Sequence, residues 1–186
     1  MNIGIVRLGQ VDVSVVSRVQ ENLETIFVDK KFTLISETCP LPKEAYSKSR
    51  KQYRSNIILN AVHGLAETNI SLDCILGVAE VDLFVPRLNF VFGEAEHLRK
   101  TAVISLYRLR PEFYKKPSND DVLVERATKE AVHELGHTFG LKHCANPFCV
   151  MYFSSSVFET DRKHTLFCNK CYQKIVSSNQ GKNVEQ

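Results

Sequence analysis

Eleven consecutive residues, His133-Glu134-Leu135-Gly136-His137-Thr138-Phe139-Gly140-Leu141-Lys142-His143, restrict this chain more than any other feature. Residues four apart in a helix leave the same face one turn from each other. His133 and His137 can therefore occupy adjacent corners of one metal ion at ~2.0–2.1 Å. A straight helix would carry His143 ~9 Å of rise past His137, so a third ligand at that position requires a sharp turn. Gly140 can supply it, because glycine takes positive φ without a Cβ penalty. Glu134 follows the first histidine directly, within reach of a water on the same metal. With 6 histidines in the chain, His-Glu-x-x-His alone arises in about one shuffled sequence in a hundred. Adding Gly140 and His143 lowers that to the order of 10⁻⁵, which makes decoration of a helix surface a poor account.

Six cysteines form the second constellation. The apolar run within Met1–Gln10 is too short for a secretory signal and is interrupted by Arg7, so a cytoplasmic protein with reduced thiols is expected. Cys168-Asn169-Lys170-Cys171 has knuckle-like spacing, and Cys144 with Cys149 completes four thiolates. Four sulfurs saturate tetrahedral zinc and leave no open corner, which marks a structural ion; buried thiols or a redox pair are the competing reading. If the chain is extended at His143 and Cys144, these neighbours face opposite sides and can serve two different metals. Cys39 and Cys74 read as ordinary small residues.

Strand and helix signals alternate along the chain. Asn2–Leu8 reads as a buried strand, and Val13–Phe27 as a helix capped by Asp12, with Val15, Val16, Val19, Leu23 and Ile26 at helical spacing. Phe32–Ser36 reads as a strand, Cys39–Ser49 as loop, and Ser55–Glu67 as a helix with a less regular pattern. The middle, through Leu72–Val85, Leu88–Phe92 and Thr101–Leu109, is β-rich. A further helix opens at Asp120 and Asp121, carries Val124, Ala127, Ala131 and Leu135, and stops at Gly140. The pattern predicts an α/β sheet followed by a part organised differently. Two parts are expected: residues 1–140, ending in the histidine-bearing helix, and residues 141–186, with the third histidine and the cysteines.

The 24 Lys and Arg exceed the 21 Asp and Glu by only three, too weak a field to argue for nucleic acid. Lys43, Lys48, Arg50, Lys51 and Arg54, the densest basic stretch, read as a solvated loop face. No apolar run approaches the ~18 residues of a membrane span.

At His133, Glu134, His137, Gly140 and His143, with Met151 downstream, the chain resembles the metzincin clan of zinc metallopeptidases. The four cysteines and the stretch from Ile75 to Arg110 are similar to the archaemetzincin family in particular. The resemblance implies one metzincin-like domain: a twisted mixed sheet of about five strands, an antiparallel edge strand, an active-site helix and a small zinc-stabilised C-terminal subdomain. It implies hydrolysis of peptide bonds, with His133, His137 and His143 on a catalytic zinc, Glu134 as general base and Met151 beneath the histidines. Cys144, Cys149, Cys168 and Cys171 would hold a second, structural zinc. Peptide substrate would pair with the edge strand, for which Leu88–Gly93 is the best segment, through Asn89, Phe90, Val91 and Phe92. A monomer is expected. Some metzincins carry a tyrosine two residues after the methionine; Phe153 stands there, with Tyr152 beside it, and no oxyanion stabiliser can be named. No latency segment is expected upstream of the first strand. The absent tyrosine keeps open a catalytically weak zinc-dependent peptide-binding protein on the same scaffold.

Overall fold

The computed structural model describes residues 1–68 and 71–180, with side chains described to residue 177. Strand β1 (Asn2–Leu8) is buried on both faces: Ile3 and Ile5 enter one core, Val6 and Leu8 the other. That explains its near-continuous apolar run. In α1 (Val13–Ile26) the Asp12 carboxylate accepts the Ser14 N–H at 2.8 Å, and Val15, Val16, Val19 and Leu23 turn inward. Next come β2 (Lys31–Cys39), longer than predicted, and a 3₁₀ turn at Lys43–Ala45. The expected loop also holds β3 (Tyr46–Ser47), which pairs antiparallel with β4 (Gln52–Arg54). Then follow α2 (Ser55–Thr68), β5 (Cys74–Ala79), β6 (Leu83–Phe84), β7 (Gly93–Glu96) and β8 (Thr101–Ser105). A second 3₁₀ turn, Pro111–Tyr114, precedes α3 (Asp120–Thr138), and the chain closes with α4 (Val157–Arg162) and α5 (Asn169–Gln180).

The main sheet has the order β2-β1-β5-β8-β7; the first four strands are parallel and β7 runs antiparallel to β8. This is the mixed five-stranded α/β sheet with an antiparallel edge that the resemblance implied. One core joins α1 and α3 to one face of the sheet, and a second, with Ile58, Leu59 and Val62 of α2, covers the other. A smaller sheet, β3-β4-β6, lies alongside.

The edge strand itself falls one segment later than expected. Within Leu88–Phe92 the ladder is reduced to one bridge, Val91 to Leu83. The carbonyls of Leu88 and Asn89 accept instead from the Arg50 guanidinium at 3.0 and 2.8 Å, and Asn89 also from Gln52 at 2.9 Å. Side chains have taken these two backbone acceptors; the Phe92 carbonyl accepts the Ser105 N–H of β8 at 2.8 Å, and the ladder with β8 runs from Gly93. Arg50 is accordingly not a bystander on a solvated face.

Helix α3 positions the chemistry. Asn119 caps it, its side chain accepting the Val122 N–H at 3.1 Å, and Leu123–Gly136 is buried apart from Glu125. Buried charges tie it to the C-terminal part. The Arg126 guanidinium grips Asp161 at 2.7 and 2.8 Å. Lys163, 1% exposed, pairs with Glu130 at 3.0 Å, and the Thr160 hydroxyl donates to the same Glu130 oxygen at 2.9 Å. Removing one partner of a buried pair leaves an uncompensated charge. Lys163→Met should therefore cost ~3–5 kcal/mol of unfolding free energy in urea. The double variant Glu130→Gln/Lys163→Met should lose less than the single one.

Candidate metal centre

The end of α3 folds back as Gly140 requires. Gly140 has φ +91°, and the Leu141 N–H reaches back to the Gly136 carbonyl at 3.0 Å, a left-handed C-terminal turn that glycine enters freely. The reversal returns His143 to the other two rings, with centroid separations of 4.7, 4.8 and 5.3 Å. One ligand atom from each histidine lies within 4.8 Å of the others.

Two backbone carbonyls fix the tautomers. His133 Nδ1 lies 2.7 Å from the Val150 carbonyl oxygen and His137 Nδ1 2.8 Å from that of Leu141. Carbonyls only accept, so each Nδ1 carries the proton and donates. Burial, foremost, pushes the His133 imidazole well below the ordinary histidine range, and the nearby Lys163 ammonium acts the same way. Burial likewise lowers His137 and His143. In a neutral ring with its proton on Nδ1, Nε2 is a bare lone pair. The two Nε2 atoms of His133 and His137 nevertheless face each other at 3.1 Å. Two acceptors so close repel unless a cation lies between them, and tetrahedral zinc sets such donors about 3.3 Å apart. The donor set fits zinc.

Glu134 is buried beside these rings, and a Cβ placed on Gly93 at the start of β7 would stand 2.7 Å from its Oε1. Burial, then the neighbouring Glu130 carboxylate, raises its proton affinity well above the ordinary glutamate range, against the opposing pull of Lys163. Met151 is fully buried under α3 at Gly136, where a side chain would collide with its sulfur. The Phe153 ring packs 5.1 Å from His143.

The four predicted cysteines also converge, with sulfurs within 4.8 Å of one another and Cys144 Sγ 3.8 Å from Cys168 Sγ. A tetrahedron with ~2.3 Å bonds puts sulfurs about 3.8 Å apart. Burial opposes ionisation of Cys168, yet the Cys171 N–H and the neighbouring thiols bring it down to about 7. Cys149 and Cys171 are pushed up, chiefly by burial. The fifth and sixth cysteines stand apart: Cys74 is buried, its thiol raised to about 11 by burial, and Cys39 is half-buried.

A cavity of about 680 Å³ opens over the histidines. Glu134, β7 and the segment Leu88–Phe92 line it, so Asn89, Phe90, Val91 and Phe92 reach the site as a rim rather than as a strand.

The sequence model of Peptidase family M54 matches residues 3–177. The chain belongs to this family. It is 47% identical over 155 residues to an archaemetzincin of Methanocaldococcus jannaschii, covering 80% of this chain and 83% of the relative. An archaemetzincin of Pyrococcus furiosus is 42% identical over 176 residues, 92% of this chain and 90% of its own. The crystal structure of archaemetzincin from Methanopyrus kandleri superposes with a TM-score of 0.84 at 36% identity, covering 97% of this chain and 96% of that one. A zinc-dependent peptidase from Methanocorpusculum labreanum gives 0.85 at 31%, covering 93% and 99%.

Membership in M54 makes this chain a zinc metallopeptidase, as the resemblance implied. Among the described residues no helix is long and apolar enough to cross a membrane. Spacing in this M54 sequence could not reveal the side chains behind the rim, Arg50, Gln52, Asp82 and Arg108, or the Glu130–Lys163 pair. Their partners are distant in sequence, and a lone arginine or lysine carries no pattern. Gly136→Ala should drive a methyl into Met151, costing ~1–3 kcal/mol of stability and loosening metal at the histidines. Denaturant midpoints and zinc titrations measure both.

Proposed function

We propose that this chain hydrolyses peptide bonds with two zinc ions, one held by His133, His137 and His143 and one by Cys144, Cys149, Cys168 and Cys171. The facing Nε2 lone pairs of His133 and His137, at 3.1 Å, carry this reading. Three histidines leave one corner of a tetrahedral ion open, whereas four thiolates leave none, so the histidine ion is catalytic and the cysteine ion structural. When bound, the catalytic zinc supplies a Lewis acid that polarises the scissile carbonyl and lowers the pKa of water to about 7. Glu134 takes the proton of the attacking water and delivers it to the leaving amine nitrogen.

Substrate enters as an extended peptide against β7, the edge of the main sheet, and pairs by backbone hydrogen bonds. Asn89, Phe90, Val91 and Phe92 form the wall beside it. Residues 1–140 and 141–186 act as two parts, the second braced by the cysteine ion. A second reading, peptide binding with little turnover, is favoured by Phe153, which offers no hydroxyl beside His143.

Purified protein incubated with a diverse peptide library should generate new termini by mass spectrometry. Glu134→Ala should lose that cleavage by at least 10²-fold while keeping its metal. Equal cleavage by both proteins refutes the role of Glu134, and binding without cleavage by the wild type favours the second reading. Metal counting should give two zinc ions per chain and one in His137→Ala. Cys171→Ala should weaken zinc at the histidines as well; unchanged affinity there means that the two sites are independent.

A further inference from the structure

The rim of the cleft makes few backbone bonds of its own, and a chain of side chains behind it supplies the rest. Asp82 grips the Arg108 guanidinium with both oxygens, at 2.6 and 2.7 Å, and also accepts from Gln52 at 3.0 Å. Gln52 donates in turn to the Asn89 carbonyl at 2.9 Å and accepts from Arg50 at 2.8 Å. The same Arg108 guanidinium lies over the Phe90 ring, 4.3 Å from its centroid, with Phe113 at 4.9 Å. Phe90 meets Phe92 edge to face at 5.1 Å, and both line the cavity. The arginine has two jobs set by its shape: a planar fork satisfies the carboxylate while its face covers the ring. Asp82 and Arg108 side chains are only 12% and 24% exposed, so water screens this contact little.

We propose that Arg108 is a specificity-determining positioning residue. Clamped by Asp82, it holds Phe90 as a fixed aromatic wall, and through that wall the cleft prefers peptides with a bulky apolar side chain beside the scissile bond. Val85, Leu88 and Leu141, also at the cavity, add apolar surface that matches such a side chain. Arg108 itself touches neither metal nor substrate. The inference rests on the reading of this cavity as a peptide cleft.

The test compares two peptides cleaved by the wild type at one defined bond. They differ only in one residue next to that bond, phenylalanine in one and alanine in the other. In Arg108→Ala the preference for phenylalanine, as a ratio of kcat/KM, should fall about five- to tenfold, the size of a partly desolvated cation–π contact. The loss should appear in KM of the phenylalanine peptide, with kcat and zinc content held. Arg108→Lys, which keeps the charge on Asp82 but not the planar face, should fall between, and it carries the test if the alanine variant does not fold. Dissociation constants of both peptides on a Glu134→Ala background should show the same ratio without turnover. An unchanged ratio in folded, zinc-loaded Arg108→Lys overturns the proposal. So does an equal loss for both peptides, or a wild type that cleaves both without preference while remaining a peptidase. A wild type that binds zinc but cleaves no peptide refutes the cleft reading itself, and the proposal with it.

Discussion

His133 donates its ring proton to the Val150 carbonyl, and His137 donates its own to that of Leu141. Those two bonds decide which nitrogens face the centre. Without them either imidazole could rotate or carry its proton on Nε2, and the spacing of four residues would specify a helix face and no more. Neither acceptor belongs to α3. Both lie in the chain that follows, so the helix supplies the donors and the C-terminal part supplies their orientation.

The cysteine cluster enters the same geometry. Cys144 follows His143, and Cys149 precedes Val150 and Met151, so the two sets of candidate ligands adjoin in one short stretch. That stretch is closed on itself by the Cys144 N–H donating to the Met151 carbonyl at 2.9 Å. It is tied outward by the Val150 N–H to Leu166 at 3.2 Å and by the Cys168 N–H to Cys149 Sγ at 3.3 Å. Moving the sulfurs would move the Val150 carbonyl and the base of His143 together. Ala145, Asn146 and Phe148 of this stretch are exposed, and its apolar anchors are Cys149, Val150 and Met151 at its end.

The site was legible in the sequence where its information is local. Helical spacing, a turn glycine and paired cysteines all act over a few residues, and the structure brings His133, His137 and His143 together, and the four cysteines beside them. Strand β1 and helices α1 and α3 were legible for the same reason. The edge strand was not. Gly93-Glu94-Ala95-Glu96 contains no β-branched or aromatic residue, and it is a strand because β8 offers it a partner. Phe90-Val91-Phe92 has the propensity but forms only the bridge from Val91 to Leu83, and side chains hold the carbonyls of Leu88 and Asn89 just before it. The rim shows the same limit: Arg50 and Arg108 look like any other basic residues until the fold places them behind one segment.

Helix α3 carries two buried faces, and their division accounts for much of the design. Val124, Ala127, Ala131 and Leu135 follow helical spacing into the core with α1 and the sheet. Arg126, Glu130, His133 and His137 follow the same spacing on another side, and each finds its partner downstream: Asp161, Lys163, Val150 and Leu141. Stability comes from the first face, because desolvating ions offsets much of what a buried pair contributes. The second face is held by directional bonds, whose angles and distances tolerate little slack. An apolar contact there could slide by an ångström at small cost, whereas lone pairs aimed at one point could not. The chemistry lies on the side of the helix where hydrogen bonds, rather than packing, set the position of every group.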